Sequence, residues 1–333
     1  MNKMEYVLAR KEYVKWISES DENLIPLEFG TVKAPGLSDL DLGILAPEGI
    51  NNTRLFKEFL KRIPSRIVKI MNGGTIMIFK NVNDIHYIDP IDLRRLDSSS
   101  PLEIEDPSPN EKTLLNLVRV VEWLPERLAR ISGEVANHFP NPKRLVGYIY
   151  SLRYSLIMLK SFGKNTEEIE VTIDEIEKLR SDILRMGLDL KVLKTICADI
   201  LSRQKFYIDI VTAEWRKHIK VLPTNRTATI KLGASLLIEF SESDIGIQHS
   251  GSFSHVNLPI EFLSSYYHYV ENHDSNLSRI LSENIEIPGS IKFTYSTEMH
   301  DLLLKRGKAI CNAFQFPSSM NLDSGAFKFG WYL

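Results

Sequence analysis

The chain has 333 residues, 43% of them hydrophobic and 25% charged, a globular balance spread over more length than one ordinary core accommodates, so two or three domains are expected. A formal net charge of −2 excludes a global basic field that would draw the protein to nucleic acid or anionic lipid. The two cysteines, Cys197 and Cys311, share no spacing pattern for zinc or for a disulfide framework, which points to a reducing compartment.

At the N-terminus, "MNKMEYVLARKEYVKW" breaks every apolar run with charge and reads as no signal peptide. No uninterrupted apolar stretch approaches the ~20 residues of a membrane helix. The expectation is a soluble, cytoplasmic protein with no membrane partner. A first helix is expected over about Lys3 to Ser18, with Tyr6, Tyr13 and Trp16 on one side. A strand, "LIPLEF", then ends at Gly30, and a loop with Pro35-Gly36 leads to a second strand, "LDLGIL". From Asn52-Thr53, the residues Phe56, Phe59, Leu60 and Ile63 fall at helical spacing, opposite Arg54, Lys57, Lys61 and Arg62, and Pro64 ends the segment. After "NGG", the strands "TIMIF" and "DIHYI", joined by "KNVN", read as a hairpin.

Residues 1–96 thus read as an α/β core, and "DSSSPLEIEDPSPNEK", residues 97–112, as a linker. Residues 113–222 form a helical domain. Within it, Thr172 and Glu175 have capping-box spacing ahead of a stripe of Ile176, Leu179, Ile183 and Met186 that ends at Gly187. Residues 223–333 form a strand-rich mixed domain. Its strands are "TATIKL", "SLLIEF", "DIGIQH", "IEIP" and "IKFTY", and its helices lie near 259–271, 276–283 and 298–314. The expected class is α+β.

The stretch "LEFGTVKAPGLSDLDLGIL" poses the chemical question. Residues two apart on a strand point the same way, so Asp39 and Asp41 share one face while Leu40 and Leu42 face the core. Carboxylates on one face are hard ligands that can hold two Mg²⁺ or Mn²⁺ ions ~3.5–4 Å apart. Upstream, the Gly30-Thr31 turn offers backbone N–H groups and a hydroxyl to phosphate oxygens, and Gly30 lets the backbone come close. These parts suit phosphoryl transfer, in which positioning and charge stabilisation do most of the catalysis.

"FGTVKAPGLSDLDLGI" resembles the signature of the polymerase-beta-type nucleotidyltransferases: an apolar residue, Gly, Ser or Thr, a short loop, then Asp-apolar-Asp-apolar. The resemblance covers about the first 95 residues. It implies transfer of a nucleoside monophosphate from a nucleoside triphosphate to a hydroxyl, with two metal ions. Carried over, Gly30 and Thr31 are the triphosphate-binding turn, Asp39 and Asp41 are metal ligands, and Ser38 is the small polar residue before the first aspartate. Thr31 stands where Ser is commoner, and the short loop carries Pro35 where a short helix is usual. Lys33, inside the loop, is a candidate phosphate contact.

The family also needs a third carboxylate from a later strand. In "VNDIHYIDPID" the candidates are Asp84, Asp89 and, third, Asp92. Strand alternation with Ile85 and Tyr87 in the core turns Asp84 toward the metals, so Asp84 is favoured as metal ligand and proton acceptor, with Asp89 the alternative. Pro90 ends the strand near Asp89.

Other constellations read as structure. His249 and His255 in "HSGSFSH" lack a nucleophile-elbow or metal-spacing frame, and a polar hairpin turning at Gly251 accounts for them. Phe262, Tyr266, Tyr267 and Tyr269 have the spacing of a packed helix rather than a base-stacking platform. Arg203, Lys205, Arg216, Lys217 and Lys220 read as a solvated helix face. The expected activity is nucleotidyl transfer to an unidentified small-molecule or protein hydroxyl. An RNA-end or oligonucleotide-synthesising enzyme, and a catalytically silent nucleotide-binding scaffold, are the alternatives. Neither the preferred nucleotide nor the oligomeric state is legible in the residues.

Overall fold

The computed structural model describes residues 3–30, 32, 40–47, 50, 58, 61, 70, 76–88, 93–136, 141–162, 166–222, 227–232, 236–241, 246–250, 253–272, 278–279, 282, 285–286 and 291–313. The fold is mixed α+β. The chain divides into two units, one of residues 1–107 with 305–317 and one of residues 108–304 with 318–333.

In the first unit, helix α1 (Lys3–Ser20) buries Tyr6, Ala9, Tyr13, Trp16 and Ile17 at spacings of three and four, the period of one helical face. That face meets β1 (Ile25–Phe29), β2 (Asp41–Leu45), β3 (Ile76–Phe79) and β4 (Leu93–Arg95), a four-stranded sheet in the order β3-β2-β1-β4. β1 runs antiparallel to β2 and β4, and β2 runs parallel to β3. Leu40, Leu42, Ile44 and Ile78 join the α1 aromatics in one core, as strand alternation requires. Tyr13 fixes the packing: its hydroxyl donates to the Gly43 carbonyl at 2.6 Å, and burial holds its phenol well above the usual range. A Cβ on Gly43 would stand 3.2 Å from the Met77 carbonyl and 3.3 Å from the Phe79 ring, so the close approach of β2 to β3 needs glycine there.

The segment expected as the strand "DIHYI" is helical. Residues Val82–Asp84 form a 3₁₀ turn and Ile85–Ile88 a short helix, α2. Asn81 caps the turn by accepting from the Asn83 amide at 2.9 Å. Ile85 and Ile88, three apart, are the buried pair, so one turn of helix buries what alternation assigned to Ile85 and Tyr87.

The second unit is built on α3 (Pro109–Ala136), whose middle, Leu117 to Ala129, is buried on every side. It begins inside the stretch expected as a linker, with Pro109 at the first helical position and the Ser108 hydroxyl accepting from the Glu111 amide at 3.2 Å. Charged residues on this helix are matched in place. Tyr269 donates to Glu122 at 2.8 Å, Arg127 donates to Ser155 at 2.6 Å, and Glu126 pairs with Arg130. Helices α4 (Pro142–Lys160), α6 (Leu190–Ser202) and α7 (Gln204–Trp215) pack on α3, and α5 (Glu167–Met186) packs on α4.

Strands β5 (Ile219–Leu222), β6 (Ala228–Leu232), β7 (Leu236–Ser241), β8 (Gly246–Ser250) and β9 (Phe253–Pro259) follow. Helix α8 (Leu263–Asn272), β10 (Ile285–Glu286), β11 (Lys292–Tyr295) and α9 (Thr297–Ala313) close the chain order. The larger sheet runs β10-β6-β7-β9-β8, and β11 pairs with β5. The Thr172–Glu175 capping box is not formed: α5 starts upstream at Glu167, and Thr172 is fully buried in mid-helix.

Candidate functional site

The site is read outward from the β1–β2 pair of the first unit. Phe29 stands directly opposite Asp41, so β1 ends where β2 begins. Gly30 follows Phe29 with φ 70°, a left-handed backbone that favours glycine and turns the chain sharply at the strand's end. Asp41 is half-buried, between Leu40 and Leu42 of the core. Cross-strand partners share a face, which puts Asp41 and Gly43 with Phe29, Leu93 and Arg95 on the side of the sheet away from α1. Arg95 is the described cation on that face of β4. Asp97 accepts from it at 3.0 and 2.8 Å, and the pair raises the guanidinium pKa and lowers that of the Asp97 carboxyl.

Behind the Gly30 turn, on the α1 side, sits a charge cluster that the sequence reading did not single out. Glu28 is 1% exposed and accepts from Arg10 at 2.6 and 2.7 Å and from Arg94 at 2.7 Å. The hydrogen bond from Arg10 to Glu28 raises the Arg10 pKa. One carboxylate thus ties α1 and β4 to β1 two residues before Gly30. A buried Glu in a short apolar strand was the available signal, because burial of a carboxylate demands cations from elsewhere.

Asp84 lies in the 3₁₀ turn after β3. β3 leaves the sheet at Phe79 opposite Leu45, whereas Asp41 begins β2 at the other end. The strand geometry expected to set Asp84 beside the Asp pair is therefore absent, and the turn attaches it to the chain's late helix instead. Burial pushes the Asp84 carboxyl above its ordinary range, while a hydrogen bond with Asn312 and the charge of Lys308 pull it partly back. Both partners lie more than 220 positions downstream in α9, where no local pattern betrays them. Arg306, 1% exposed, donates to the carbonyls of Tyr87 and Ile88 in the same unit.

Thr31, Lys33, Ser38, Asp39, Asp89 and Asp92 lie outside the described residues, as does most of the helix expected from residue 53. Among the described residues no three His, Cys, Asp or Glu side chains form a group that could hold a metal ion. The donor chemistry of the Asp pair suits Mg²⁺ or Mn²⁺, and Asp41 is its described member.

Elsewhere the hairpin and core-packing readings fit the described residues. β8 pairs antiparallel with β9, Ser250 opposite Phe253, and His255 sits 3.3 Å from Glu239. Phe262, Tyr266 and Tyr269 are core, the two tyrosines donating to Glu122. The expected basic helix face is not formed: Lys205 lies in α7, Arg203 precedes that helix, Arg216 and Lys217 follow it, and Lys220 is in β5. Arg203, Lys205, Arg216 and Lys217 are ion-paired to Asp199, Asp209, Glu261 and Glu214.

No protein-family model, curated protein or solved structure matches the chain. The functional reading rests on its own residues.

Proposed function

We propose that the first unit is the nucleotidyltransferase-like α/β core of a metal-dependent enzyme. It would move a nucleoside monophosphate from a nucleoside triphosphate to a hydroxyl acceptor and release pyrophosphate. The observation that carries this reading is the β1–β2 register, which sets a left-handed glycine and a carboxylate at the same end of two paired strands. A triphosphate needs such a pairing: free N–H groups in a tight turn for its oxygens, and a carboxylate for the cation that bridges them.

In this reading Asp39 and Asp41 hold two ions, Mg²⁺ or Mn²⁺, and Gly30 and Thr31 seat the phosphates with Lys33 and Ser38. Bound there, the ions would lower the pKa of the acceptor hydroxyl and neutralise the leaving pyrophosphate. The chain's own residues position the reactants and take the proton. Asp84, the residue that alternation favours as metal ligand and proton acceptor, follows the end of β3 remote from Asp41, so in this reading the third carboxylate falls to Asp89. Asp89 is closer in the chain to Leu93, which stands opposite Phe29. The near-neutral net charge favours a small-molecule or protein acceptor over an RNA end, and the cysteine usage favours the cytoplasm.

One observation favours a second reading, a silent nucleotide-binding scaffold: the turn carrying Asp84 follows the end of β3 remote from Asp41. Incubation with labelled triphosphates and Mg²⁺ or Mn²⁺ separates the two. The enzyme reading expects pyrophosphate release that disappears in Asp39→Ala/Asp41→Ala. Release that persists in the double variant refutes the site. Triphosphate binding without any release selects the scaffold.

A further inference from the structure

The corner joining α5 to α6, far from the carboxylates in sequence, exposes apolar surface of a kind a water-facing helix pair does not need. Leu184, Met186, Leu188, Leu190 and Val192 are between 39% and 69% exposed, and they make up half of the large hydrophobic side chains exposed among the described residues. All nine consecutive residues from 184 to 192 are exposed. Five exposed apolar side chains at one helix corner, interleaved with Arg185, Asp189 and Lys191, mark a contact surface, whereas the same number scattered singly would need no explanation.

The shape of the exposure selects the contact. Leu184 and Met186, two apart at the end of α5, project about 200° from one another around that helix, and so do Leu190 and Val192 at the start of α6. The apolar groups therefore ring the corner instead of lining one stripe. A protein partner or a second copy covers one side of an element; a lipid interface closes around all of it.

Charge points the same way. Lys191 and Lys194 are exposed and make no ion pair with a described residue. The nearby acids are engaged: Asp182 pairs with Arg185 at 3.0 Å, and Asp189 caps α6 by accepting from the Lys191 amide at 2.8 Å. Gly187, with φ 89°, makes the sharp end that brings both helix ends to one tip.

We propose that this corner is a membrane-surface docking tip, its five apolar side chains entering the headgroup–acyl boundary of an anionic bilayer and Lys191 and Lys194 meeting the headgroup phosphates. No described helix is long and apolar enough to cross a membrane, and surface docking needs none. This revises the expectation of no membrane partner, and it stands whether or not the nucleotidyltransferase reading does.

The test is co-sedimentation of the full chain with phosphatidylcholine–phosphatidylserine vesicles and with phosphatidylcholine vesicles alone. The expected result is pelleting with the anionic vesicles, reduced about tenfold or more in Leu188→Ser/Leu190→Ser, which removes only exposed side chains. Lys191→Glu/Lys194→Glu lowers binding to the anionic vesicles in the same assay. Thermal melting of both variants at the wild-type temperature shows that folding is intact. Failure of the wild-type chain to pellet, or pelleting indifferent to Leu188→Ser/Leu190→Ser, overturns the proposal. So does concentration-dependent dimerisation in sedimentation velocity that the same double substitution abolishes, since it assigns the tip to a second copy.

Discussion

At the scale of single residues, the first unit turns on how charge is handled inside a small sheet. Glu28 is buried with two arginines whose own ends reach solvent, so removing the carboxylate frees both to hydrate, whereas removing one arginine leaves a buried charge with one partner. Glu28→Ala is expected to lower stability by about 2–3 kcal/mol, the worth of charge-assisted hydrogen bonds partly recovered by hydration. Chemical denaturation measures it, and a change below about 0.5 kcal/mol would show that the cluster is ornamental. Asp84 gives a pH signature. Its carboxyl is raised in the fold, so its contribution is fully present below the ordinary carboxylate range and is lost as pH rises through the folded value. Asp84→Asn, which keeps a polar group for Asn312, should therefore melt higher than wild type at neutral pH and converge with it in acid. Melting curves across pH check this, and a variant less stable at neutral pH would mean that the Lys308 charge outweighs burial. Little of this was legible beforehand. Asp41 at the start of β2 and the glycine turn at the end of β1 were, because strand alternation and turn chemistry are local; the partners of Glu28 and Asp84 come from other elements and leave no periodic trace.

At the scale of elements, the readings that failed did so where two periods fit the same letters. "DIHYI" satisfies both alternation and a three-residue spacing, and Asn81 decides for helix by capping the turn before it. Thr172 satisfies a capping box in sequence, yet the acidic run Glu167, Glu168 and Glu170 begins the helix sooner, where carboxylates favour a helix N-terminus. Thr172 is then an interior residue. Its hydroxyl lies 2.8 Å from the Tyr207 hydroxyl, accepts from Arg203 at 2.6 Å and reaches the Glu168 carbonyl at 3.0 Å. It joins α5 to α7, which a cap would not do. Thr172→Val keeps the shape and removes those bonds, so a loss of about 1–3 kcal/mol is expected, from the buried Tyr207 hydroxyl stripped of this partner. Equal stability of Thr172→Val and wild type in urea titrations would return Thr172 to a marginal role. The long periodic helices and the β8–β9 hairpin were legible for the opposite reason: each fits one period only.

At the scale of the whole molecule, the first unit is discontinuous in sequence. A reading along the chain ends it at residue 96, because composition shifts there and nothing local announces the return of residues 305–317. Yet that return supplies Arg306, buried and donating to the carbonyls of Tyr87 and Ile88, and Asn312 and Lys308, which act on Asp84. The carbonyls at the end of a short helix need donors, and the Arg306 guanidinium meets those of Tyr87 and Ile88. A fragment of residues 1–107 keeps α1 and all four strands but leaves those carbonyls and the raised Asp84 carboxyl without their partners. It is expected to lack a cooperative thermal transition, or to melt well below the first transition of the full chain, while adding residues 305–317 in trans should raise that melting temperature. Circular dichroism on the fragment, with and without the peptide, measures both. A fragment melting as sharply and as high as the full chain would show that the sheet and α1 suffice, and that the late helix only rests on them. Arg306→Ala in the full chain tests the same dependence without truncation, and should destabilise by about 1–3 kcal/mol if the two carbonyls are left buried and unbonded.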